Sequence, residues 1–238
     1  MTAIRAITFD LWGTLFRDVN PAERKQLRAE AFSRATGASQ ASVAEALAAV
    51  GREFARHHIE EQRTLTPLDA VRMTAERVGV VVPPDAEPEL TEIFATAVLL
   101  WPPAVIEGAV EAVRAAARVV PLGIVSDTGL SPGRCLRVLL AREHFLEHFG
   151  ALAFSDEVGV AKPRPEMFES AARDLGVAPS ELLHIGDLEQ TDIRGAHNVG
   201  AKAALFVGVS RNDLGGSQAD HVLKTWQEFA DALPSLLT

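Results

Sequence analysis

The sequence contains a single cysteine, Cys135, and therefore cannot form an internal disulfide bond. This scarcity fits a reducing compartment, and we expect a cytoplasmic protein. No apolar run approaches the length of a membrane span, and the N-terminal stretch reaches Asp10 too soon for a secretory signal peptide. These absences together predict a soluble protein with no membrane partner.

Basic residues are also scarce relative to acidic ones. The chain has 23 Lys and Arg against 32 Asp and Glu, which gives a formal net charge of −9. Such a surface repels nucleic acid unless its basic residues cluster, and the sequence shows no such cluster, so we expect no nucleic-acid partner. The 238 residues, 47% of them hydrophobic, suffice for one large domain or for a domain with a smaller insert. The oligomeric state is left open.

Short apolar segments recur along the chain, each of strand length and each ending in a polar or glycine-containing turn. They are residues 4–10, 119–127, 150–156, 182–187 and 201–208. Some are nearly continuous in apolar character, as buried parallel strands are. From residue 119 onward, helix-like segments separate them. This alternation predicts an α/β fold with a doubly wound, Rossmann-like parallel sheet of about five strands.

Residues 18–103 carry almost no strand signal and instead show four helical segments. Capping patterns mark three helix starts, at Asn20 with Glu23, at Ser42 with Glu45 and at Thr66 with Asp69. The last segment is halted by prolines at positions 102 and 103. The economical interpretation is an α-helical cap, residues 18–103, inserted after the first strand of an α/β core formed by residues 1–17 and 104–238.

Polar side chains follow the predicted strands of the core at their carboxyl ends. In open α/β sheets, ligands bind outside these ends. Carboxylates there suit a hard cation such as Mg²⁺, whereas a hydroxyl and a lysine suit phosphate oxygens. The residues concerned are Asp10, Ser126, Asp127, Lys162, Asp187 and Asp192.

Four short motifs occur in order along the chain: DLWGT at residues 10–14, VSD at 125–127, KPRPEMF at 162–168 and GDLEQTDIRGAHNVG at 186–200. Their order and spacing resemble those of the haloacid dehalogenase-like (HAD) hydrolase superfamily, and the helical insert resembles its C1 cap. The resemblance covers nearly the whole chain. It implies a hydrolase with a Rossmann-like core, bound Mg²⁺ and a small-molecule substrate, most often a phosphorylated metabolite.

The resemblance also implies roles for individual residues at the first and fourth motifs. Asp10 would be the nucleophile that forms a covalent aspartyl ester. The carboxylates of Asp10 and Asp187, with the backbone carbonyl of Trp12, would hold Mg²⁺. Asp192 would be a further metal ligand or would orient a metal-bound water, and it could also cap the helix that follows it.

The remaining motif residues are implied to bind the substrate. Ser126 would hydrogen-bond the transferring phosphoryl group, and Lys162 would neutralise Asp10 and the phosphoryl oxygens so that two anions can approach each other. Thr14 and Asp127 complete the candidate substrate-binding set, although for Asp127 the support of its own turn is the favoured role.

Trp12 departs from the pattern of the family's phosphatases, which usually place a second Asp at this position as general acid and base. Indole can do neither, and such help is typically worth ~10²–10⁴ in rate. Family dehalogenases carry an aromatic residue there, but they are metal-free and typically lack the acidic fourth motif. This chain keeps Asp187 and Asp192, and carboxylates gathered at one edge repel each other without a cation. We therefore favour a Mg²⁺-dependent phosphatase; the alternatives are a 2-haloacid dehalogenase-like enzyme and a catalytically weak phospho-ligand-binding protein.

Other residues that could carry chemistry receive structural interpretations. His57 and His58 are adjacent on a helix and do not share a face, so we expect an ordinary cap surface and not a metal site. His184 lies inside an apolar strand and is predicted to be a satisfied core group. Cys135 is predicted to pack in the interior, and Trp101 is placed by its position at the hinge between cap and core.

Overall fold

The structure is a computed structural model and describes residues 3–209 and 216–238. The strands are β1 (Ala6–Phe9), β2 (Phe16–Arg17), β3 (Ala104–Val105), β4 (Leu122–Ser126), β5 (Phe149–Phe154), β6 (Leu182–Gly186), β7 (Lys202–Phe206) and β8 (His221–Leu223). The α-helices are α1 (Pro21–Thr36), α2 (Gln40–Arg56), α3 (Pro67–Val78), α4 (Glu87–Leu100), α5 (Ala109–Ala117), α6 (Gly133–Arg142), α7 (Ser155–Val158), α8 (Pro165–Leu175), α9 (Arg194–Asn198) and α10 (Trp226–Leu236). Two π-helical turns cover His57–Glu61 and Glu189–Ile193, and two 3₁₀ turns cover Leu146–His148 and Pro179–Glu181.

Six strands form one parallel sheet in the order β5-β4-β1-β6-β7-β8. Strand β1 lies in the middle, with Phe9 opposite Ile124 on one side and Ile185 on the other. The predicted Rossmann-like sheet is confirmed, with one strand more than expected. The additional strand, β8, has three residues at the edge of the sheet, and only Leu223 among them is buried, so it lacks the apolar run that marked the others.

Helices cover both faces of this sheet. On one face, α5, α6 and α10 pack on a cluster that includes Phe9, Phe206 and Trp226, with the indole of Trp226 stacked on the ring of Phe206 at 4.6 Å. On the other face, α8 and α9 pack on a second cluster around Phe168. Cys135 is buried in the first cluster, as predicted. Across the described ranges, every helix falls short of the length or apolarity needed to cross a bilayer.

Helices α1–α4 pack on one another around a third apolar cluster that includes Phe32, Val50 and Phe94. The chain enters and leaves this helical segment through the antiparallel pair β2–β3. Beside that pair, the amide of Asn20 donates to the carbonyl of Pro102 at 2.7 Å, which ties the two crossings together. This arrangement fits the predicted cap; its bounds at residues 18 and 103 stay a prediction.

The three predicted helix starts have different outcomes. Thr66 forms its capping box with Asp69, as predicted. Helix α2 begins earlier than expected, because the hydroxyl of Ser39 accepts the N–H of Ser42 at 3.2 Å and so caps the helix. The box predicted at Asn20 is wrong, since its side chain makes no capping hydrogen bond and bonds instead at the hinge.

Trp101 contributes to the hinge differently from the expectation. Its side chain is 44% exposed, and the packing predicted for it stays a prediction. Its backbone carbonyl accepts a hydrogen bond from Nη1 of Arg24 at 2.8 Å, so the end of α4 is fixed to α1 through the main chain.

Candidate active site

The predicted site residues meet at the carboxyl edge of the sheet because β4, β1 and β6 are neighbours in it. This edge forms one side of a cavity of about 580 Å³, and residues of α1 and α2 form the other side. Its size is within the range of small-molecule sites. Of the predicted residues, those that line it are Asp10, Trp12, Asp127, Lys162, Asp187 and Asp192.

Lys162 joins the acids of the site. Its Nζ donates to Oδ1 of Asp10 at 2.6 Å, to Oδ1 of Asp192 at 2.6 Å and to the carbonyl of Val125 at 3.1 Å. The residue is only 2% exposed, and its three protons are all used. Its backbone N–H donates to Oδ1 of Asp127 at 2.9 Å. Asp127 therefore supports the turn that carries Lys162, a structural role that differs from the predicted support of its own turn.

The carboxyls of Asp10 and Asp192 respond differently to the same ammonium group. Burial raises the pKa of Asp10, and although Lys162 opposes this, the result is a pKa of about 6. Burial acts on Asp192 in the same sense, but Lys162 and His184 outweigh it and hold its pKa below the usual range. The difference follows from the additional donors to Asp192, so the negative charge is more firmly held on Asp192 than on Asp10.

Asp192 lies in the π-helical turn Glu189–Ile193, with both carboxylate oxygens engaged. Oδ1 faces Lys162 and Nε2 of His184 (3.1 Å), and Oδ2 accepts the N–H of Leu188 at 3.0 Å. These bonds favour orientation of Lys162 over metal ligation as its role. The predicted capping of α9 is wrong, because Ile193 occupies the cap position.

His184 is a satisfied core group, as predicted. It is fully buried, its Nδ1 lies 2.9 Å from Oγ1 of Thr8, and its ring meets the edge of Phe168. Burial lowers the pKa of His184 even though Asp192 opposes this. The sequence did not indicate its contact with Asp192, which makes it a support of the site.

Asp187 is half-buried and has the most strongly raised pKa among the carboxyls of the site. Burial first, and then Asp10 and Asp192, raise its pKa to about 8. The side chain fits against the turn after β1 only because position 13 is glycine. A Cβ on Gly13 would lie 2.2 Å from Oδ2 of Asp187, and its φ of +74° also favours glycine.

The turn after β1 also places Trp12 and Thr14. Trp12 is partly buried, lines the cavity and packs on the apolar cluster around Phe9. The carbonyl of Thr14 accepts the indole N–H of Trp226 at 3.2 Å. The hydroxyl of Thr14 is buried without a hydrogen-bond partner among the described residues. Ser126 is fully buried at the end of β4, and neither Thr14 nor Ser126 lines the cavity wall.

On the helical side of the cavity, His58 is one of the lining residues. The prediction that His58 is an ordinary surface residue of the cap is therefore wrong. Its Nε2 lies 3.3 Å from Oδ2 of Asp127. His57 does face away, because its ring pairs with Glu61. A signal existed in the sequence, since His58 continues the helical spacing of buried residues through Phe54.

Two contacts, made by the residues that follow the π-helical turn His57–Glu61, hold this turn against the core. The carbonyl of Gln62 accepts the N–H of Ala161 at 3.1 Å, next to Lys162, and the hydroxyl of Thr64 donates to Oγ of Ser155 at 2.6 Å. The turn therefore lies directly beside the loop that carries the site lysine.

Arg24 and Arg28 on α1 also line the cavity and are buried, each with 5% exposure. Arg24 pairs with Asp18. The guanidinium of Arg28 donates from Nε and Nη2 to the carbonyl of Phe94, at 3.1 and 2.9 Å. Burial, and then the charge of Arg24, lower the pKa of Arg28 to about 10. Nothing in the sequence distinguishes these arginines from surface ones.

Fold and site together define a class, the Rossmann-like hydrolases. The family model described as haloacid dehalogenase-like hydrolase matches residues 4–200. The chain belongs to this family.

Known members similar to this chain include both phosphatases and dehalogenases. A glyceraldehyde 3-phosphate phosphatase from Methanopyrus kandleri is 44% identical over 63 residues, about a quarter of each chain (26%). An (S)-2-haloacid dehalogenase 2 from a Pseudomonas species is 34% identical over 134 residues, 56% of this chain and 54% of that one. A solved HAD phosphatase from Thermococcus onnurineus, 21% identical, superposes with a TM-score of 0.70 over 99% of this chain and 100% of that chain, which shows the fold alone.

Proposed function

We propose that the protein is a Mg²⁺-dependent phosphatase that acts on a small phosphorylated metabolite through an aspartyl-phosphate on Asp10. The observation that carries the proposal is the constellation at the sheet edge. Asp10 faces an open cavity, its Oδ1 is fixed by the ammonium group of Lys162 at 2.6 Å, and Asp187 borders the same cavity. A fixed carboxylate beside a buried cation is a suitable nucleophile for an anionic ester.

The chain's own residues account for the transfer in two steps. Lys162 holds Oδ1 of Asp10, so Oδ2 is the atom that attacks phosphorus as the bond to the leaving oxygen breaks. The leaving oxygen takes up a proton when it departs as an alcohol. Water then attacks the phosphorus of the aspartyl-phosphate, which releases phosphate and regenerates the Asp10 carboxylate. The positive charge of Lys162 offsets the negative charge that collects on the phosphoryl oxygens.

The acids of the site fit a divalent cation. Lys162 pairs with Asp10 and Asp192, while Asp187 borders the same cavity. Burial first, and neighbouring carboxylates in addition, raise the pKa values of Asp10 to about 6 and of Asp187 to about 8. Asp10, Asp187 and the carbonyl of Trp12 would hold Mg²⁺, an oxygen-only set that suits this ion. Within residues 3–209 and 216–238, no three His, Cys, Asp or Glu side chains converge as a metal site, so the proposed set keeps two of the three predicted carboxylates and the main-chain carbonyl. When bound, Mg²⁺ supplies positive charge to the transferring phosphoryl group.

A 2-haloacid dehalogenase activity is the second candidate, and Trp12 is the observation that favours it. Its indole lines the cavity where an acid–base group would serve a phosphatase. A halide leaves without a proton, so this reaction needs no such group. The carboxyl of Asp187 favours the phosphatase, because this group borders the cavity and has no evident use there without a bound cation.

Phosphate release tests the proposal. We expect hydrolysis of p-nitrophenyl phosphate and of some phosphorylated metabolites, loss of that activity in chelator and its return with added Mg²⁺. Halide release from a 2-haloacid that persists in chelator would instead support the dehalogenase. Binding of phosphate esters without turnover in either assay would favour a phospho-ligand-binding protein.

A further inference from the structure

The helical wall of the cavity carries a buried positive charge that has no ion-pair partner among the described residues. Arg28 is 5% exposed and lines the cavity. Among the ion pairs of the described residues, Asp18 is taken by Arg24, and no carboxylate pairs with Arg28. Its hydrogen bonds use Nε and Nη2 on the carbonyl of Phe94, which is a neutral acceptor, and leave Nη1 without a partner in the described part of the chain. A buried guanidinium that keeps its charge normally has an anion beside it.

We propose that Arg28 binds a second acidic group, a carboxylate or phosphate, on the part of the substrate that remains after phosphoryl transfer. The proposal rests on the phosphatase function above. The cavity, about 580 Å³ in volume, is lined by Lys162 on the core side and by Arg24 and Arg28 on the α1 side. Because Arg24 is paired with Asp18, Lys162 and Arg28 are the positive groups that face each other from the two walls. A phosphate monoester with a distal acid matches both. The substrate class is therefore a phosphorylated small acid, not a neutral sugar or alcohol phosphate.

Arg28→Met tests this subsite with a matched pair of probes, 2-phosphoglycolate and ethyl phosphate. In the wild type we expect kcat/KM to favour phosphoglycolate, and Arg28→Met should lower that preference by roughly 10–100-fold, the worth of a hydrogen bond to a charged group. Activity on p-nitrophenyl phosphate should change little. Arg34→Met, an exposed position on the same helix, is the control and should keep the preference.

A second readout does not require turnover. In an Asp10→Asn background, calorimetry should show tighter binding of phosphoglycolate than of ethyl phosphate, and Arg28→Met should remove the difference. Equal loss on all probes would mean that Arg28 only pins α1 to α4, and equal affinities in the wild type would also overturn the subsite. Failure of every ester to turn over, with the binding difference intact, would overturn the phosphatase function alone.

An independent observation concerns proton transfer. His58 is the one imidazole that lines the cavity within the described residues. Its Nε2 lies 3.3 Å from Oδ2 of Asp127, and this buried atom has no hydrogen-bond partner within residues 3–209 and 216–238. Asp127 is in turn anchored, because its Oδ1 accepts the N–H of Lys162. A fixed carboxylate beside a ring nitrogen without a hydrogen-bond partner is an arrangement that orients a general acid.

We infer that His58 supplies the acid–base group that Trp12 cannot provide. The imidazolium gives its proton to the leaving oxygen as the P–O bond breaks, and the neutral ring then takes a proton from the water that attacks the aspartyl-phosphate. Each turnover therefore returns His58 to its starting state. Family phosphatases usually carry the nucleophile and the acid–base group in the same loop after the first strand. Here the loop carries the nucleophile Asp10, and the helical wall carries the acid–base group His58.

His58→Gln should slow an alkyl phosphate by ~10²-fold or more, because its leaving oxygen needs a proton. The same variant should affect p-nitrophenyl phosphate far less, since nitrophenolate leaves unprotonated. His57→Gln is the matched control: the neighbouring ring pairs with Glu61 outside the cavity, and both substrates should be unaffected. If His58 only held the cap against the core, His58→Gln would lower the rates of hydrolysis of both substrates equally. That result would overturn the assignment.

A double variant separates the two explanations further. Trp12→Asp alone should gain little on alkyl phosphates if His58 already transfers the proton, whereas Trp12→Asp in the His58→Gln background should restore much of the lost rate. A large gain from Trp12→Asp in the wild type would show that the acid is truly missing and would overturn the role of His58. Absence of turnover with every ester would overturn the phosphatase function and this role with it.

Discussion

Asp10→Asn should reduce phosphate release by on the order of 10⁴-fold or more, because an amide is a poor nucleophile and the reaction has no second route through the same atom. The fold should persist. The amide oxygen can still accept a hydrogen bond from Lys162, and the substitution removes a charge whose burial already raises the pKa of Asp10 to about 6. Steady-state phosphate release, with circular dichroism as the check on folding, measures both effects.

The control for this variant is Asp174→Asn, an exposed carboxyl on α8, which should leave the rate unchanged. Binding of a phosphate ester to Asp10→Asn should survive, since Lys162 and the cavity are intact. Appreciable turnover by a well-folded Asp10→Asn protein would mean that another group attacks phosphorus and would contradict the proposed mechanism.

Lys162→Met should lower the free energy of unfolding by about 3–5 kcal/mol at neutral pH, as expected when one partner of a buried ion pair is removed. It leaves Asp10 and Asp192 buried without their shared cation. In the wild type the depressed pKa of Asp192 contributes stability above the carboxyl's ordinary range, and that contribution is lost as pH falls. In the variant the ammonium group no longer opposes the burial that raises the pKa of both carboxyls, so they take up protons as pH falls and the deficit should be larger at pH 7 than at pH 4. Phosphate release should also be lost.

Denaturant unfolding at the two pH values measures this effect. Lys202→Met is the matched control, because Lys202 also lies 2.6 Å from a carboxylate, that of Asp220, but its side chain is 47% exposed. A surface pair of this kind is worth about 0–1 kcal/mol. Equal losses in the two variants would show that Lys162 does not neutralise a desolvated acid cluster.

The sequence sufficed for the core of the fold and for one side of the cavity. A parallel sheet fixes where its strands end, so acids that follow β1 and β6 must lie at one edge once the strands are recognised. Asp10, Lys162 and Asp187 are found there, while their catalytic and metal-binding roles stay predictions. Strand β8 escaped notice because two of its three residues are exposed, and an edge strand needs no continuous apolar run.

The helical wall of the cavity was not predictable in the same way. A helix has no end that must face the site, so the direction of Arg28 and His58 depends on how α1 and α2 pack, which is a property of the whole molecule. The argument against His58 excluded a chelate with its neighbour His57 but did not consider His58 alone, whose helical spacing from Phe54 indicates an inward position. Asn20 makes no side-chain cap, and its amide group donates instead to a carbonyl 82 positions away. Such a distant partner cannot be predicted from the local sequence.

The central position of β1 has a consequence for the newly synthesised chain. Thr8 on β1 meets His184 on β6, 176 residues later, and at ribosomal rates roughly 10–35 s separate the two. In the first part of that interval, before β4 is synthesised, the contiguous helices α1–α4 can close their own apolar cluster, while β1 has no neighbour to pair with. The accessory part of the enzyme is thus finished first and the nucleophile is assembled last. A nascent chain therefore cannot catalyse the reaction until its final third emerges. The unpaired apolar strand near its N-terminus is the segment that a chaperone would be expected to bind.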